Sequence, residues 1–480
     1  MKYCTIKDVD GGKLIYNNLV KSLVWIKNSE YENLIEDWDD KYDYVQFLLR
    51  NYFIVPEQFN EFEVVNNLRL KRQPIMTDNW LDHPTGFTIL TTTQCNARCF
   101  YCYEHPVKDK KPMTKKTAKS IVKYIQRVAP TKNIQLRWFG GEPLYNYEII
   151  DYISEHLTAL GYQFVSSIIT NGYLFDEEMC KKAKYLWKVN SIQITLDGTE
   201  EIYNKTKKYI YKDNPNPFNT VINNIKNLLD LEISTSIRMN CDKHNADDLK
   251  QLVKYLGETF KGNRHFNMYT YPLFELNGFT RTPEYRKEVF NKLEEIDQAI
   301  LDAGFSIGKN IDTDDIKSIH CMVDSGHDVL ISTDGDLGLC EHYISEDFWG
   351  HVDKPEMKDW SVINSWREYS APTELCKDCP LYPTCLKSVK CPDCNTCDEN
   401  WYKREIKHSE SSVLDFYKKW KNGELNNNRC QVSSNCDKYE GERCEGHMVQ
   451  VFGNFQDKCS NKCEEQKDNK KWYNKIFKWV

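Results

Sequence analysis

Residues 91–105 read TTTQCNARCFYCYEH, and the reading of the whole chain turns on them. Cys95, Cys99 and Cys102 are spaced C-x3-C-x2-C, with no fourth cysteine before Cys180. Thiolates this close together surround one small inorganic centre, zinc or an iron–sulfur cluster. A four-iron cubane held by three thiolates keeps one iron open, as a catalytic zinc keeps one position open for its substrate. The stretch FTILTTT (87–93) is the β-branched, apolar run of a buried strand, so the cysteines leave from a strand's end.

Five more runs of this kind follow: IQLRWF (134–139), FVSSIIT (164–170), SIQITL (191–196), ISTSIRMN (233–240) and HFNMYTY (265–271). Helical patterns such as MTKKTAKSIVKYIQRVA and DDLKQLVKYLGETF lie between them. Six β–α units in a row predict a parallel sheet or partial α/β barrel over 81–310, with its chemistry on loops at the C-terminal ends of the strands. In residues 1–80, KLIYNNL and SLVWI flank the turn residues Asn17 and Asn18 and predict a hairpin. DYVQFLLRNYFIV predicts a helix running into a strand that Pro56 stops. The stretch 311–410 reads as loop-rich and cysteine-rich. The last, 411–480, is an extension that contains the linker-like NGELNNNRC. Its Cys430, Cys436, Cys444, Cys459 and Cys463 suit zinc, a further cluster or a disulfide, and no role is assigned to them.

The 480 residues suffice for two to four domains, and 40% hydrophobic with 28% charged residues is ordinary for a globular chain. A net charge of −7 implies no general affinity for nucleic acid. No apolar run approaches the ~20 residues of a membrane span. MKYCTIKDVDGG lacks the charged-then-apolar pattern of an export signal, so the expected location is cytoplasmic. Nineteen cysteines, mostly in tight groups, then suit metal or iron–sulfur ligation in a reducing compartment.

Three further segments fall at strand ends: WFGGEPL with Gly140, Gly141 and Glu142; TNG with Thr170, Asn171 and Gly172; and ITLDG with Asp197 and Gly198. Together with the C-x3-C-x2-C motif and Tyr101 before its last cysteine, this order resembles the radical S-adenosyl-L-methionine (SAM) superfamily. The resemblance implies an enzyme whose [4Fe–4S] cluster, held by Cys95, Cys99 and Cys102, reduces SAM to a 5′-deoxyadenosyl radical that abstracts hydrogen. It implies that Gly140, Gly141 and Glu142 hold the methionine amino group, and that Thr170 and Asn171 approach the ribose. Relatives often carry an Arg after the LDG segment for the SAM carboxylate. This chain offers Lys207 there, with Arg238 as another candidate and Asn240 beside it for the nucleoside.

Residues 321–397 resemble the SPASM domain, which carries auxiliary [4Fe–4S] clusters. Cys321, Gly335 and Cys340 fit its opening pattern, and Cys376, Cys379 and Cys385 fit its C-x2-C-x5-C. Cys391, Cys394 and Cys397 depart from its later spacing. The ligand division expected is Cys321, Cys340 and Cys391 on one cluster and Cys376, Cys379, Cys385 and Cys397 on the other, with Cys394 able to replace a neighbour. Glu341, after Cys340, stands where anaerobic sulfatase-maturing enzymes place an Asp proposed as a base.

The expected architecture is therefore α/β. A small winged-helix-like α+β unit (1–80) would grip a leader peptide. A partial (β/α)6 radical SAM barrel (81–310), a loop-rich iron–sulfur SPASM domain (311–410) and the extension (411–480) would follow. This layout resembles maturases of ribosomally made peptides, which implies a precursor peptide as substrate, a Cys thioether cross-link as product and a one-electron reductant such as a flavodoxin or ferredoxin. Oxidation of a protein Cys or Ser side chain, as in sulfatase maturation, is the alternative reading. A cluster-based sensor is a third, and the GGE segment argues against it.

Overall fold

The computed structural model describes residues 2–36, 39–68, 81–102, 104, 110–213, 216–273, 282–307, 322–325, 327–342, 346–368, 371–385, 389–391, 397–422 and 449–450. Cys321, Cys394 and the five C-terminal cysteines lie outside them.

The alternating runs form strands where expected. They are β4 (Gly86–Thr92), β5 (Asn133–Gly140), β6 (Gln163–Thr170), β7 (Val189–Thr195), β8 (Ser234–Cys241) and β9 (Phe266–Pro272). All neighbours among them pair in parallel, in sequence order. Parallel pairing needs crossovers, and the helical patterns supply them as α3 (Lys115–Val128), α4 (Tyr147–Ala159), α5 (Glu177–Tyr185), α6 (Glu200–Lys207), α7 (Pro217–Asp230) and α8 (Ala246–Thr259). Thr114 and Asp176 begin α3 and α5 by accepting the backbone N–H of Thr117 and Met179. After β9 comes α9 (Pro283–Asp302). Because the strands share one polarity, the loops after β4, β5, β6, β7 and β8 emerge at a single edge of the sheet.

The stretch after 311, expected to be loop-rich, also builds sheet. β10 (Asp328–Ile331) pairs in parallel with β4, and β11 (Asp336–Gly338) and β12 (Gly350–His351) add antiparallel strands beyond it, for nine strands in the row among the described residues. DVLI is too short to announce itself in sequence. It becomes a strand because β4, buried along its whole length, needs a partner on its second edge. A short helix, α10 (Trp360–Trp366), follows.

The N-terminal unit holds the expected hairpin, β2 (Gly12–Asn17) against β3 (Ser22–Lys27), and a further strand, β1 (Cys4–Val9), antiparallel to β2. Helices α1 (Asn28–Glu36) and α2 (Asp43–Arg50) follow, and Cys4, Ile15, Val24 and Ile26 pack with Leu34, Val45 and Leu48. The strand expected after α2 is absent, because Tyr52 takes a left-handed backbone (φ +58°) that breaks the extended run.

One long helix, α11 (Glu399–Lys421), runs through residue 410, where sequence alone suggested a boundary. It joins the two sheets. On one side Val413 packs with Leu14, Tyr16 and Leu23, Ser409 bonds Thr5, and Glu410 pairs with Lys7. On the other side Arg404 donates to the Thr270 carbonyl (2.9 Å) and to Asp297 on α9 (3.2 Å), and His408 contacts the same carboxylate at 3.0 Å. Asp297 is 1% exposed. Burial pushes its carboxyl up, but the His408 hydrogen bond and the Arg404 charge outweigh that and hold it below its ordinary value. Among the described residues no helix is long and apolar enough to cross a membrane.

Asp297→Ala would leave a buried guanidinium unpaired, and is expected to cost about 3–5 kcal/mol, read as a lower urea midpoint. Since this carboxyl is held low, its contribution is complete above the ordinary aspartate value of 3.8 and is lost as pH falls through the lowered value. The gap between wild type and variant should therefore narrow in acid, and a gap constant with pH would contradict this.

Candidate functional site

The edge at the C-terminal strand ends gathers the motif residues. Its first organiser is Glu142, fully buried just after β5. Its carboxylate accepts from Thr170 Oγ1 (2.8 Å), Asn171 N (2.9 Å) and Leu144 N (3.2 Å), which ties the end of β5 to the end of β6. Burial pushes this carboxyl up to about 7, against those three donors, which lower it. The two glycines before it are required by close approach. A Cβ on Gly140 (φ +128°) would collide with the Thr92 carbonyl, and one on Gly141 with that of Gln94. Gly141 N and Glu142 N instead donate to those carbonyls at 3.0 and 2.9 Å, drawing the GGE segment onto the cysteine loop.

The cysteine loop hangs on the same network. Asn171 Nδ2 donates to Asn96 Oδ1 at 2.7 Å and lies 3.9 Å from Cys95 Sγ. Cys95, Cys99 and Cys102 are free thiols within electrostatic reach of one another. Burial pushes the Cys95 thiol up to about 12, and the Glu142 charge adds to this. Among the described residues no three His, Cys, Asp or Glu side chains close around a single metal ion. A cubane differs, because it takes each thiolate on a separate iron. The donor set fits such a cluster, and an unmet polar atom beside it points the same way: among the described residues Glu104 Oε2 is buried without a hydrogen-bond partner. Sequence reading missed Glu104, which burial pushes up to about 8. A buried carboxylate cannot be told from an exposed one in YEH.

A second cluster lies under the loop. Tyr101 donates its hydroxyl to Asp197 Oδ2 and accepts from Lys207 Nζ at 2.9 Å. Lys207 pairs with Asp197 at 3.0 Å, each side chain 3% exposed. Burial works against the ammonium, but Asp197 and Tyr101 outweigh it and raise its pKa well above the ordinary value. Arg98 N donates to the Lys207 carbonyl at 2.7 Å, so α6 anchors the loop by backbone as well. Asn240 donates twice to Asp197 Oδ1, by its backbone N–H (3.1 Å) and by Nδ2 (2.9 Å). Gly198 is needed because a Cβ would strike the Asp248 carboxylate. Arg238 gives one N–H to Asn240 Oδ1 (3.0 Å), and its guanidinium lies 4.2 Å from the centre of the Tyr271 ring.

Glu341 is not brought to this edge. β11 runs against β10 and hence against β4, so Cys340 and Glu341, both half-buried, leave it toward the opposite end of the sheet. Of the later cysteines, Cys379 lies within electrostatic reach of Cys376 and Cys397. Cys376 and Cys379 pack beside Tyr3, Val65 and Tyr382, against the N-terminal unit.

Residues 89–256 match the family model described as the radical SAM superfamily. The chain is 30% identical over 169 residues to an uncharacterized protein of Methanocaldococcus jannaschii, covering 34% of this chain and 56% of that one. It is 25% identical over 239 residues to the radical SAM cyclopropyl synthase TigE of Paramaledivibacter caminithermalis, covering 43% and 48%. The chain thus spans about half the length of these curated relatives. Native anSMEcpe with bound AdoMet and a Kp18Cys peptide shares the fold, with a TM-score of 0.52 at 17% identity over 70% of this chain and 99% of that one.

Glu142→Ala would strand three buried donors at about 1–3 kcal/mol each. It is expected to lower the urea midpoint and to increase the protease sensitivity of residues 91–102 relative to wild type. Wild-type behaviour in both assays would show that the carboxylate does not hold the loop.

Proposed function

We propose that this chain, whose residues 89–256 are a radical SAM domain, is an enzyme that removes hydrogen from a peptide, most directly to form a Cys thioether cross-link. The observation that carries the reading is the joining of the three-cysteine loop to the GGE and TNG segments through Glu142, Asn171 and Asn96 at one edge of a parallel sheet. Cys95, Cys99 and Cys102 would hold the [4Fe–4S] cluster. SAM would lie along Gly140, Gly141 and Glu142, with Thr170, Asn171 and Asn240 shaping its nucleoside side. When bound, the pair supplies hydrogen-atom abstraction by a radical cut from SAM.

The carboxylate of SAM has two candidate partners. Lys207 already has Asp197 and Tyr101, which spend two of its three N–H donors. Among the described residues Arg238 gives only its Nε–H, and its planar fork suits a carboxylate. We therefore assign the carboxylate to Arg238, and assign Lys207 to positioning the cysteine loop. Glu341, at the other end of the sheet, is assigned to its own loop beside Cys340 rather than to proton transfer.

The approach of Cys376, Cys379 and Cys397 supports an auxiliary cluster on that group with Cys385, and a second cluster on Cys321, Cys340 and Cys391, Cys394 being interchangeable with a neighbour. A one-electron reductant such as a flavodoxin or ferredoxin would supply electrons. The peptide reading is supported by the N-terminal antiparallel sheet, a surface to which an extended peptide adds a strand, and by the peptide bound to anSMEcpe, whose fold this chain shares.

Anaerobic reconstitution tests this. Three cubanes predict about 12 irons per chain, falling to about 8 when Cys95, Cys99 and Cys102 are replaced by Ala. The variant should also lose reductant-dependent cleavage of SAM. About 4 irons, absent from the variant, would refute the auxiliary clusters and leave the SAM site standing.

A further inference from the structure

We propose that Arg137, on the open face of the parallel sheet, receives a carboxylate of the substrate peptide, so that the enzyme selects a peptide by its negative charge. The proposal rests on the peptide reading above. Parallel sheets are ordinarily covered on both faces. Here one face of β5 to β9 is packed, with Leu136, Ile168, Ile192, Ile237 and Met268 in the apolar core. Residues that alternate with them stay half-exposed, among them Arg137, Ser167, Gln193, Ser236 and Asn267. The two faces also treat their polar groups differently. On the packed face Ser166 donates to the Trp187 carbonyl at 2.6 Å, Thr235 to that of Ile233 at 3.1 Å, and Thr270 to Asp297. On the open face the side chains of Arg137, Ser167, Ser236 and Asn267 make no hydrogen bond among the described residues. Donors left open in this way await a ligand that brings acceptors.

The charge on this face has one sign. The six strands β4 to β9 contain Arg137 and Arg238, and no Asp, Glu or Lys. Arg238 lies beside Asn240 and Tyr271, at the level assigned to SAM. Arg137 is set apart from it. The register runs from Arg137 through Ser167 and Ser191 to Ser234, which precedes Arg238 by four residues, or about 13 Å along the strands. Arg137 also precedes Gly140 by three residues, which puts it about 10 Å from the GGE segment. The carboxylate of Asp328 on β10 lies against Gly86, two strands away. Among the described residues no ion pair neutralises Arg137. A half-buried guanidinium without a counter-charge is a fork that fits a carboxylate through two N–H groups. About 10 Å is three residues of extended chain. A carboxylate held at Arg137 therefore presents, a few residues along the same peptide, the carbon that gives up hydrogen.

A peptide carries this chemistry on an Asp or Glu side chain or at its own chain end, and one experiment separates the two. Three fluorescently labelled, Cys-containing synthetic peptides are titrated with the full chain and read by anisotropy. The first has an Asp side chain and an amidated end, the second has Asn in its place and an amidated end, and the third has that Asn and a free end. At least one of the two carboxylate peptides is expected to bind wild type about tenfold more tightly than the peptide with none, and which one does so identifies the source. In R137Q this preference is expected to vanish while the affinity for the neutral peptide, which reports an intact fold, stays the same. R137K is expected to keep part of the preference, as a point charge does. Equal binding of all three peptides to wild type, or a preference that persists in R137Q, would overturn this proposal and leave the peptide reading standing. Binding of none of them would overturn the peptide reading and this proposal with it.

Discussion

A single carboxylate with no exposed surface sets the geometry on which the rest of the site depends. Burying a charge this deeply costs several kcal/mol unless hydrogen bonds replace the lost water. Glu142 meets that condition only when the ends of β5 and β6 stand side by side, because its donors come from Thr170 and Asn171 as well as from its own turn. Asn171 then reaches Asn96, so the cysteine loop inherits its position from the carboxylate. The parallel register makes this compatible with the pairing of every other strand, since it places all the motif loops at one edge.

Asp297 does for the periphery what Glu142 does for the centre. It collects Thr270 from β9 and Arg404 and His408 from α11, binding a helix from the far end of the chain to the last strand of the parallel series. The same helix carries Ser409, Glu410 and Val413 to the N-terminal sheet. On another side of that unit Tyr382 stacks on Phe62 and donates to Asn66 at 2.6 Å, which brings the Cys376–Cys385 segment against it. The N-terminal unit is thus gripped by two elements that follow residues 89–256 in sequence.

The parallel strands were legible because each is a dense apolar run with a helical pattern after it, and the site motifs were legible because their spacing is local. What stayed hidden depends on distant partners. β1 was obscured by Lys7 and Asp8, and DVLI at 328–331 is four residues whose strand character comes from β4. The bond between Tyr101 and Asp197 spans 96 positions. Lys207 looked available to a ligand carboxylate because nothing in YNKTKKY shows that Asp197 is already beside it. The placement of Glu341 followed from strand direction: a hairpin turn at Gly335 reverses the chain, and a pattern match to the residue after a cysteine is blind to that reversal.

The contact between α11 and the first sheet also fixes an order of events during synthesis. Leu14, Tyr16 and Leu23 leave the ribosome well before the Val413 side chain that joins their cluster, which is made nearly 400 residues later. At about 5–20 residues per second, that apolar face waits roughly 20–80 s for its cover. The N-terminal sheet is therefore completed well after its own strands are translated, and until then the face that meets Val413 lacks its cover.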